Sequence, residues 1–228
     1  IQQRDRHRNH DQAVQDDNPE ELTDHIQTKY WLLPRVMIFY QQGRTCFAYA
    51  CAFVLRKAFE RFGCISHPAP CQLDLARSII RSQSVHNSFK VLSDLGPSFG
   101  FNVTGHIGVP SAAVLKEKQT LVFRFGLGCW DIFHTYHQSC LLSKSPPLPI
   151  QRKQLSSTCF PVLGKVSFHA VVFISFDEAT RVFTFANSWG TWWGFRGKFQ
   201  MTEGAVHYLL SRAPFQEGSF LSLLPQPG

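Results

Sequence analysis

The first long amphipathic segment of the chain begins at Cys46. From there, apolar side chains recur at intervals of three and four residues, which is the spacing of one face of an α-helix. Gly63 is a typical helix terminator, and Thr45 is suited to precede the first turn. The sequence therefore predicts a helix between these two residues, with an apolar face made of Phe47, Ala50, Cys51, Val54, Leu55, Ala58, Phe59 and Phe62.

Two apolar runs in the last third of the chain predict a β-hairpin. The runs 169–176 and 181–187 are rich in β-branched and aromatic residues, which favour strands. The short polar stretch 177–180 separates them and supplies the turn.

The hairpin also predicts which side chains meet. If Phe176 pairs with Arg181 across the turn, His169 lies opposite Ser188, within one position of Asn187. The hairpin alone is then expected to bring an imidazole and a carboxamide within hydrogen-bonding distance.

The remaining pattern predicts helices first and strands later, which is typical of an α+β fold. The polar residues 1–27 are expected to form a flexible arm, and residues 28–228 the folded domain. Within that domain the sequence predicts helices over 73–81 and 111–119, a strand over 121–125, an ambiguous segment over 129–140 and a long loop over 143–164.

Composition and charge exclude some classes of protein for this chain. The 228 residues carry a formal net charge of +7, and the first 24 residues hold seven of the sixteen acidic side chains. The basic residues beyond them are scattered and form no dense stripe with interleaved aromatics, so a nucleic-acid partner is not expected. No apolar run reaches the length of a membrane span. Because the chain begins with Ile1, we expect a fragment or a processed product.

Cys46 is the candidate nucleophile. The predicted helix places it in the first turn, where the helix dipole stabilises a thiolate and lowers the thiol pKa. His169 is the candidate base, and a neighbouring imidazolium would lower the thiol pKa further. A carboxamide from Asn187 that binds one ring nitrogen leaves the other free to take the thiol proton. Trp189 and Trp193 are expected to shield this hydrogen bond from water.

These residues carry a resemblance to a known family. The run Asn187-Ser-Trp-Gly-Thr-Trp-Trp-Gly-Phe-Arg-Gly matches the NSWG-x-x-WG-x-x-G segment of the papain-like cysteine peptidases. His169-Ala-Val is similar to the histidine segment of that family. Cys46-Phe-Ala-Tyr-Ala resembles its nucleophile segment, in which tryptophan usually stands at the position of Phe47.

The resemblance implies a papain-like two-lobed fold, with the cysteine helix in a helical lobe and the histidine and asparagine in an antiparallel β lobe. It implies a cysteine-type endopeptidase in which a Cys46 thiolate and a His169 imidazolium form a pair oriented by Asn187. Peptide or protein substrates and cystatin-like inhibitors are the implied partners, and neither a cofactor nor a metal is needed. A lysosomal, vacuolar or secreted location would be typical of this family.

The oxyanion donor is less well defined by the resemblance. The family has a glutamine six residues before the nucleophile, but here Tyr40 holds that position. Gln41 fits the spacing better, whereas Gln42-Gly43 resembles the Gln-Gly pair of the family. We therefore expect Gln42 or Gln41 to donate to the oxyanion, together with the backbone N–H of the nucleophile.

Other positions depart from the family pattern. Gly43 stands where a family disulfide would need a cysteine, and no cysteine follows Cys159. The glycine-rich substrate-binding motif of the family is missing between residues 64 and 96, and Phe168 replaces the usual Asp or Asn. Two Cys/His groupings have metal-compatible spacing, but structural roles are favoured for them. They are Cys64, His67 and Cys71, and His134, His137 and Cys140.

Two alternative functions remain open at this point. The chain could be a papain-fold protein with weak or no peptidase activity that acts as a binding or regulatory module. It could also use the same Cys-His-Asn chemistry to transfer an acyl group to an amine, as in transglutaminase-like folds.

Overall fold

The computed structural model describes a large part of the chain from Thr45 onward. Three expectations lie outside the described residues: the arm over 1–27, and Gln41 and Gln42 as oxyanion donors. Most of the helix expected over 111–119 lies outside them too. The described residues are 45–63, 70–81, 88–111, 114–115, 120–127, 130–143, 145–155, 167–211 and 220–227.

Helices and antiparallel strands make up the described fold, so the predicted α+β class is confirmed. The helices are α1 (Cys46–Phe62), α2 (Gln72–Arg81), α3 (Ser88–Leu95), α4 (Trp130–Leu142) and α5 (Glu203–Ser211). The strands are β1 (Phe101–His106), β2 (Thr120–Leu127), β3 (Ser167–Asp177), β4 (Val182–Ala186), β5 (Lys198–Thr202) and β6 (Phe220–Pro225). Short 3-10 turns lie at Pro97–Phe99 and Arg152–Gln154.

Helix α1 forms as the apolar spacing predicts. Gly63 ends it with a positive φ of 84°, a backbone conformation that glycine adopts without strain, and its N–H donates to the Phe59 carbonyl at 2.9 Å. At the other end, the backbone carbonyl of Thr45 accepts from Ala48 and Tyr49 at 3.0 and 3.3 Å. Cys46 is thus the first residue of the helix.

The strands form one antiparallel sheet in the order β1-β6-β2-β3-β4-β5. Successive side chains of a strand point to opposite faces, and here both faces are covered. Helix α1 packs on one face with α2 against it, and together they form the helix-side core with Val122, Ala170, Val172, Leu221 and Leu223. The other face builds a phenylalanine-rich core from Phe123, Phe125, Phe173, Phe183, Phe185, Phe199 and Phe220, closed by side chains of α4 and α5.

The predicted hairpin is present, but its expected register was wrong. Phe176 pairs with Phe183 rather than with Arg181. The turn lies one position later than expected, over 178–181, with Asp177 paired to Val182. The Asp177 carboxylate accepts the backbone N–H groups of residues 179 and 180, and Arg181 adopts a positive φ of 54°. A register shift between Phe173 and Ser175 then absorbs one residue.

Of the ambiguous segment over 129–140, residues 130–140 belong to a helix, α4, and Cys129 lies outside the described residues. The buried residues Phe133, Tyr136 and Cys140 follow the helical spacing and face the phenylalanine-rich core. Within the described parts of the chain, no helix is both long and apolar enough to cross a membrane.

Candidate active site

The fold brings Cys46 to the strand that carries His169. The Cys46 side chain is half-buried at the start of α1, where its sulfur interacts with the backbone of Phe47 and of Ala170. Ala170 directly follows His169 on β3. Packing of α1 on the sheet therefore carries the thiol to the end of β3 at which the imidazole is attached.

Burial raises the pKa of the Cys46 thiol, and the expected lowering was wrong. Backbone N–H groups of Ala170, Phe47 and Cys46 itself favour the thiolate, as a helix N-terminus should. Removal of the sulfur from water opposes them and has the larger effect, because desolvation penalises the charged form. The resting side chain is therefore a neutral thiol.

A spectroscopic titration tests this protonation state. The absorbance of wild type at 240 nm minus that of Cys46→Ala isolates the thiolate of this one residue. We expect no difference through the neutral range and a rise only above pH 9, because burial holds the thiol pKa above that ordinary value. A thiolate signal that is already present at pH 6 would contradict this description.

His169 and Asn187 meet in a buried hydrogen bond. His169 Nε2 lies 2.7 Å from Asn187 Oδ1, and only 2% of the histidine and 3% of the asparagine surface is exposed. Continuing the register of Val172 with Ala186 would bring His169 level with Trp189. Beyond Ala186 the chain leaves the ladder, and the Asn187 N–H donates to the Gly197 carbonyl at 2.9 Å instead.

A second donor defines the tautomer of the imidazole. The backbone N–H of Ser188 also lies on Asn187 Oδ1, at 2.8 Å, and a backbone N–H can only donate. The shared atom must therefore be the carbonyl oxygen of the amide. Since that oxygen can only accept, His169 Nε2 must carry the proton. The basic lone pair of the neutral imidazole is then on Nδ1, so this nitrogen can accept a proton.

Burial also lowers the pKa of His169, to about 4. Desolvation of the imidazolium is the main cause, and the hydrogen bond to Asn187 partly opposes it. Together with the raised thiol pKa, this favours a neutral thiol and a neutral imidazole. The thiolate–imidazolium pair expected from the sequence is therefore not the resting state of this arrangement.

Trp189 covers the imidazole, and Trp193 supports Trp189. The Trp189 ring stacks on His169 with centroids 4.6 Å apart and an angle of 25° between the planes. Trp193 meets Trp189 edge to face at 4.8 Å and is itself 5% exposed. Trp193 also packs against Phe133 and Tyr136 of α4, so the shield continues into the phenylalanine-rich core.

The tryptophans lie on a loop that needs its glycines. Gly190, Gly194 and Gly197 all have positive φ, at 83°, 59° and 77°. The Gly194 N–H donates to His137 Nδ1 at 3.2 Å, which ties the loop to α4. The glycines of the sequence motif therefore stand at the positions where the backbone is left-handed and the loop folds back to Asn187.

We expect Gly194→Ala to destabilise the protein by about 2–4 kcal/mol. A Cβ atom at this position would lie 2.4 Å from the backbone oxygen of Lys198, and the positive φ adds strain. Urea unfolding measures the loss.

The matched control for that substitution is Gly204→Ala in α5. A Cβ there meets only Arg152 Cβ at 3.8 Å, and alanine favours the helix. This variant should be as stable as wild type or more so. Equal stability of the two variants would show that the loop does not need its left-handed turn.

Metal and disulfide chemistry have little support in the described residues. These hold no group of three or more His, Cys, Asp or Glu side chains that could bind a metal ion. His134, His137 and Cys140 accordingly form no such group. Cys46, Cys51, Cys71 and Cys140 are not in disulfide bonds. The grouping of Cys64, His67 and Cys71 lies mostly outside the described residues.

Sequence reasoning missed one polar residue next to this site. Gln72 is 7% exposed on the inner face of α2 and lines a small cavity together with Asn187. Its signal was present in the pattern, because Gln72, Leu75, Ala76 and Ile79 share one helix face and only the first is polar.

Comparisons with known proteins return cysteine proteases among solved structures. Procathepsin B S9 from Trypanosoma congolense is 17% identical with a TM-score of 0.29, and the match covers 57% of this chain and 36% of that one. Xylellain, a cysteine protease from Xylella fastidiosa, is 14% identical with a TM-score of 0.39, and the match covers 86% of this chain and 85% of that one. The bromelain protease from Ananas comosus, solved in complex with the E64 inhibitor, is 13% identical with a TM-score of 0.41, and the match covers 85% of this chain and 94% of that one.

The chain thus spans about a third of the length of the procathepsin B chain. No protein-family model matches the sequence, and no curated protein matches it. Because the three TM-scores lie below 0.5, these overlaps carry no argument about activity or substrate.

Proposed function

We propose that this chain is a papain-like cysteine endopeptidase that hydrolyses peptide bonds through Cys46, His169 and Asn187. One observation carries the proposal: the buried hydrogen bond from His169 Nε2 to Asn187 Oδ1. A carboxamide that accepts from one ring nitrogen leaves the opposite nitrogen basic, and the Cys46 sulfur interacts with the backbone of the next residue on the same strand.

The proposed reaction begins from the neutral pair. As the Cys46 sulfur attacks the peptide carbonyl carbon, its proton passes to His169 Nδ1, and the carbonyl π electrons move to the oxygen. The imidazolium then donates this proton to the leaving amine as the C–N bond breaks. A water molecule then gives a proton to His169 as its oxygen attacks the carbonyl carbon of the resulting thioester. The C–S bond breaks and releases the acid, and His169 returns the proton to the sulfur to restore the thiol.

Asn187 has a defined part in this sequence. It accepts from Nε2–H in the neutral and in the protonated state of the imidazole, so the ring keeps its orientation through both proton transfers. Trp189 keeps water away from that bond. The low pKa of His169 makes the imidazolium short-lived, which suits a group that must release its proton to the leaving amine.

The negative charge that develops on the carbonyl oxygen must be stabilised by hydrogen-bond donors. The proposal assigns the Cys46 backbone N–H, at the positive end of α1, to this role. Gln42 or Gln41 remains the proposed second donor. Peptide or protein substrates, and cystatin-like inhibitors that mimic them, are the proposed partners.

Hydrolysis of fluorogenic dipeptide amides tests the reaction. Wild type should release the fluorophore without an added amine, and the acid limb of kcat/KM should fall near pH 4, where His169 takes up a proton. Release of the fluorophore only after an amine acceptor is added would show that the reaction is acyl transfer and not hydrolysis. Binding of the peptide without any release would show that the protein is a binding module.

A further inference from the structure

The cavity beside Asn187 brings a second side-chain amide into the site. It lies between α1, α2 and the ends of β3 and β4, with Tyr49, Gln72, Ala170 and Asn187 among its lining residues. Its volume is about 10 Å³. That is just enough for a single water molecule, provided that polar groups face it.

Asn187 presents a polar atom that the catalytic hydrogen bond does not use. Its Oδ1 accepts from His169 and Ser188, so the Nδ2 group must point away from the imidazole. Nδ2 is buried and has no hydrogen-bond partner among the described residues. A buried amide N–H without a partner is costly, and the cost favours any acceptor within reach.

Gln72 is placed to supply that acceptor. It occupies the polar position on an otherwise apolar helix face, and 93% of its surface is withdrawn from solvent. Gln72 lines the same cavity as Asn187. Both residues therefore border one water-sized space.

We propose that Gln72 is the positioning residue for Asn187, and that its side-chain carbonyl holds the Nδ2 group through one water molecule in this cavity. The inference rests on the proposed function, because it gives a role to Gln72 in the same reaction. The chain of contacts runs from α2 through Asn187 to the imidazole. Helix α2 would thereby control the orientation of a base on the opposite side of α1.

A double-mutant cycle tests this role. Gln72→Leu removes the acceptor at nearly constant volume, so we expect kcat to fall about 5- to 20-fold with KM unchanged, as loss of one hydrogen bond predicts. In an Asn187→Ala background the same substitution should change kcat by less than about 2-fold, because its target is gone. Equal effects of Gln72→Leu in both backgrounds would overturn the proposal.

A second readout does not depend on turnover. The Nε2–H proton of His169 should give a downfield NMR resonance in wild type, and Gln72→Leu should speed its exchange with water. Leu75→Ala, on the same helix face, is the control: it should lower thermal stability but leave this exchange unchanged. Unchanged exchange in Gln72→Leu would refute the positioning role. Faster exchange in a protein that cleaves no peptide would refute the peptidase function instead.

Discussion

Replacing Cys46 by alanine is expected to lower kcat/KM for peptide amides by at least about 10³-fold. The variant lacks the only atom that the proposed mechanism allows to bond to the substrate carbonyl carbon. Neither His169 nor Asn187 can replace it, because both are buried and are directed at each other. Steady-state assays with a fluorogenic dipeptide amide measure the loss.

Cys51→Ala is the matched control for this experiment. Cys51 is the next cysteine of the same helix, is fully buried, and has a pKa raised far above its usual range by desolvation. Its removal should leave kcat/KM per folded molecule unchanged. If Cys46→Ala retained the activity of the Cys51→Ala protein, another nucleophile would have to be responsible.

The second large effect is on stability at acid pH. His169 has a pKa of about 4 in the folded protein and about 6.5 in an unfolded chain. Between these values the unfolded chain binds a proton that the folded protein does not bind, so the free energy of unfolding falls as the pH falls. This contribution is constant above pH 6.5. At pH 4 the free energy of unfolding is lower by roughly 3 kcal/mol than at pH 6.5 and above, since each unit of pKa difference corresponds to about 1.4 kcal/mol.

Urea unfolding of wild type and His169→Gln across pH 4 to 7 measures this effect. The glutamine variant should lose less stability on acidification than wild type, by roughly 3 kcal/mol. His207→Gln is the control, because His207 is exposed on α5 and its replacement should leave the wild-type pH dependence unchanged. The same pH dependence in all three proteins would contradict a buried, neutral His169.

The elements that position the site were predictable because their signals are local. The spacing from Cys46 to Gly63 defines α1, and two runs of β-branched and aromatic residues around a polar turn define the hairpin of β3 and β4. The register depended on details that a pattern does not contain: the Asp177 turn, the positive φ of Arg181 and one irregularity in β3. The predicted contact between His169 and Asn187 is nonetheless present, because the carboxamide follows the end of β4 and turns back toward the imidazole.

Protonation was the property that the sequence predicted poorly. The helix N-terminus at Cys46 is a local feature, whereas desolvation of the sulfur depends on how α1 packs against β3. Strands β5 and β6 were also overlooked. Strand β5 alternates around buried Phe199 and Met201 but has only five residues, and β6 buries four successive residues from Phe220 and so lacks the alternation.

Covalent labelling tests the central claim most directly. A peptidyl vinyl sulfone accepts a thiol only when a base removes its proton, so intact-mass spectrometry with peptide mapping reports nucleophile and base together. We expect one adduct on wild type at Cys46, none on Cys46→Ala, and labelling slowed by about 10²-fold or more in His169→Gln. No adduct on wild type, or an adduct that persists in Cys46→Ala, would contradict the assignment of Cys46 as the nucleophile.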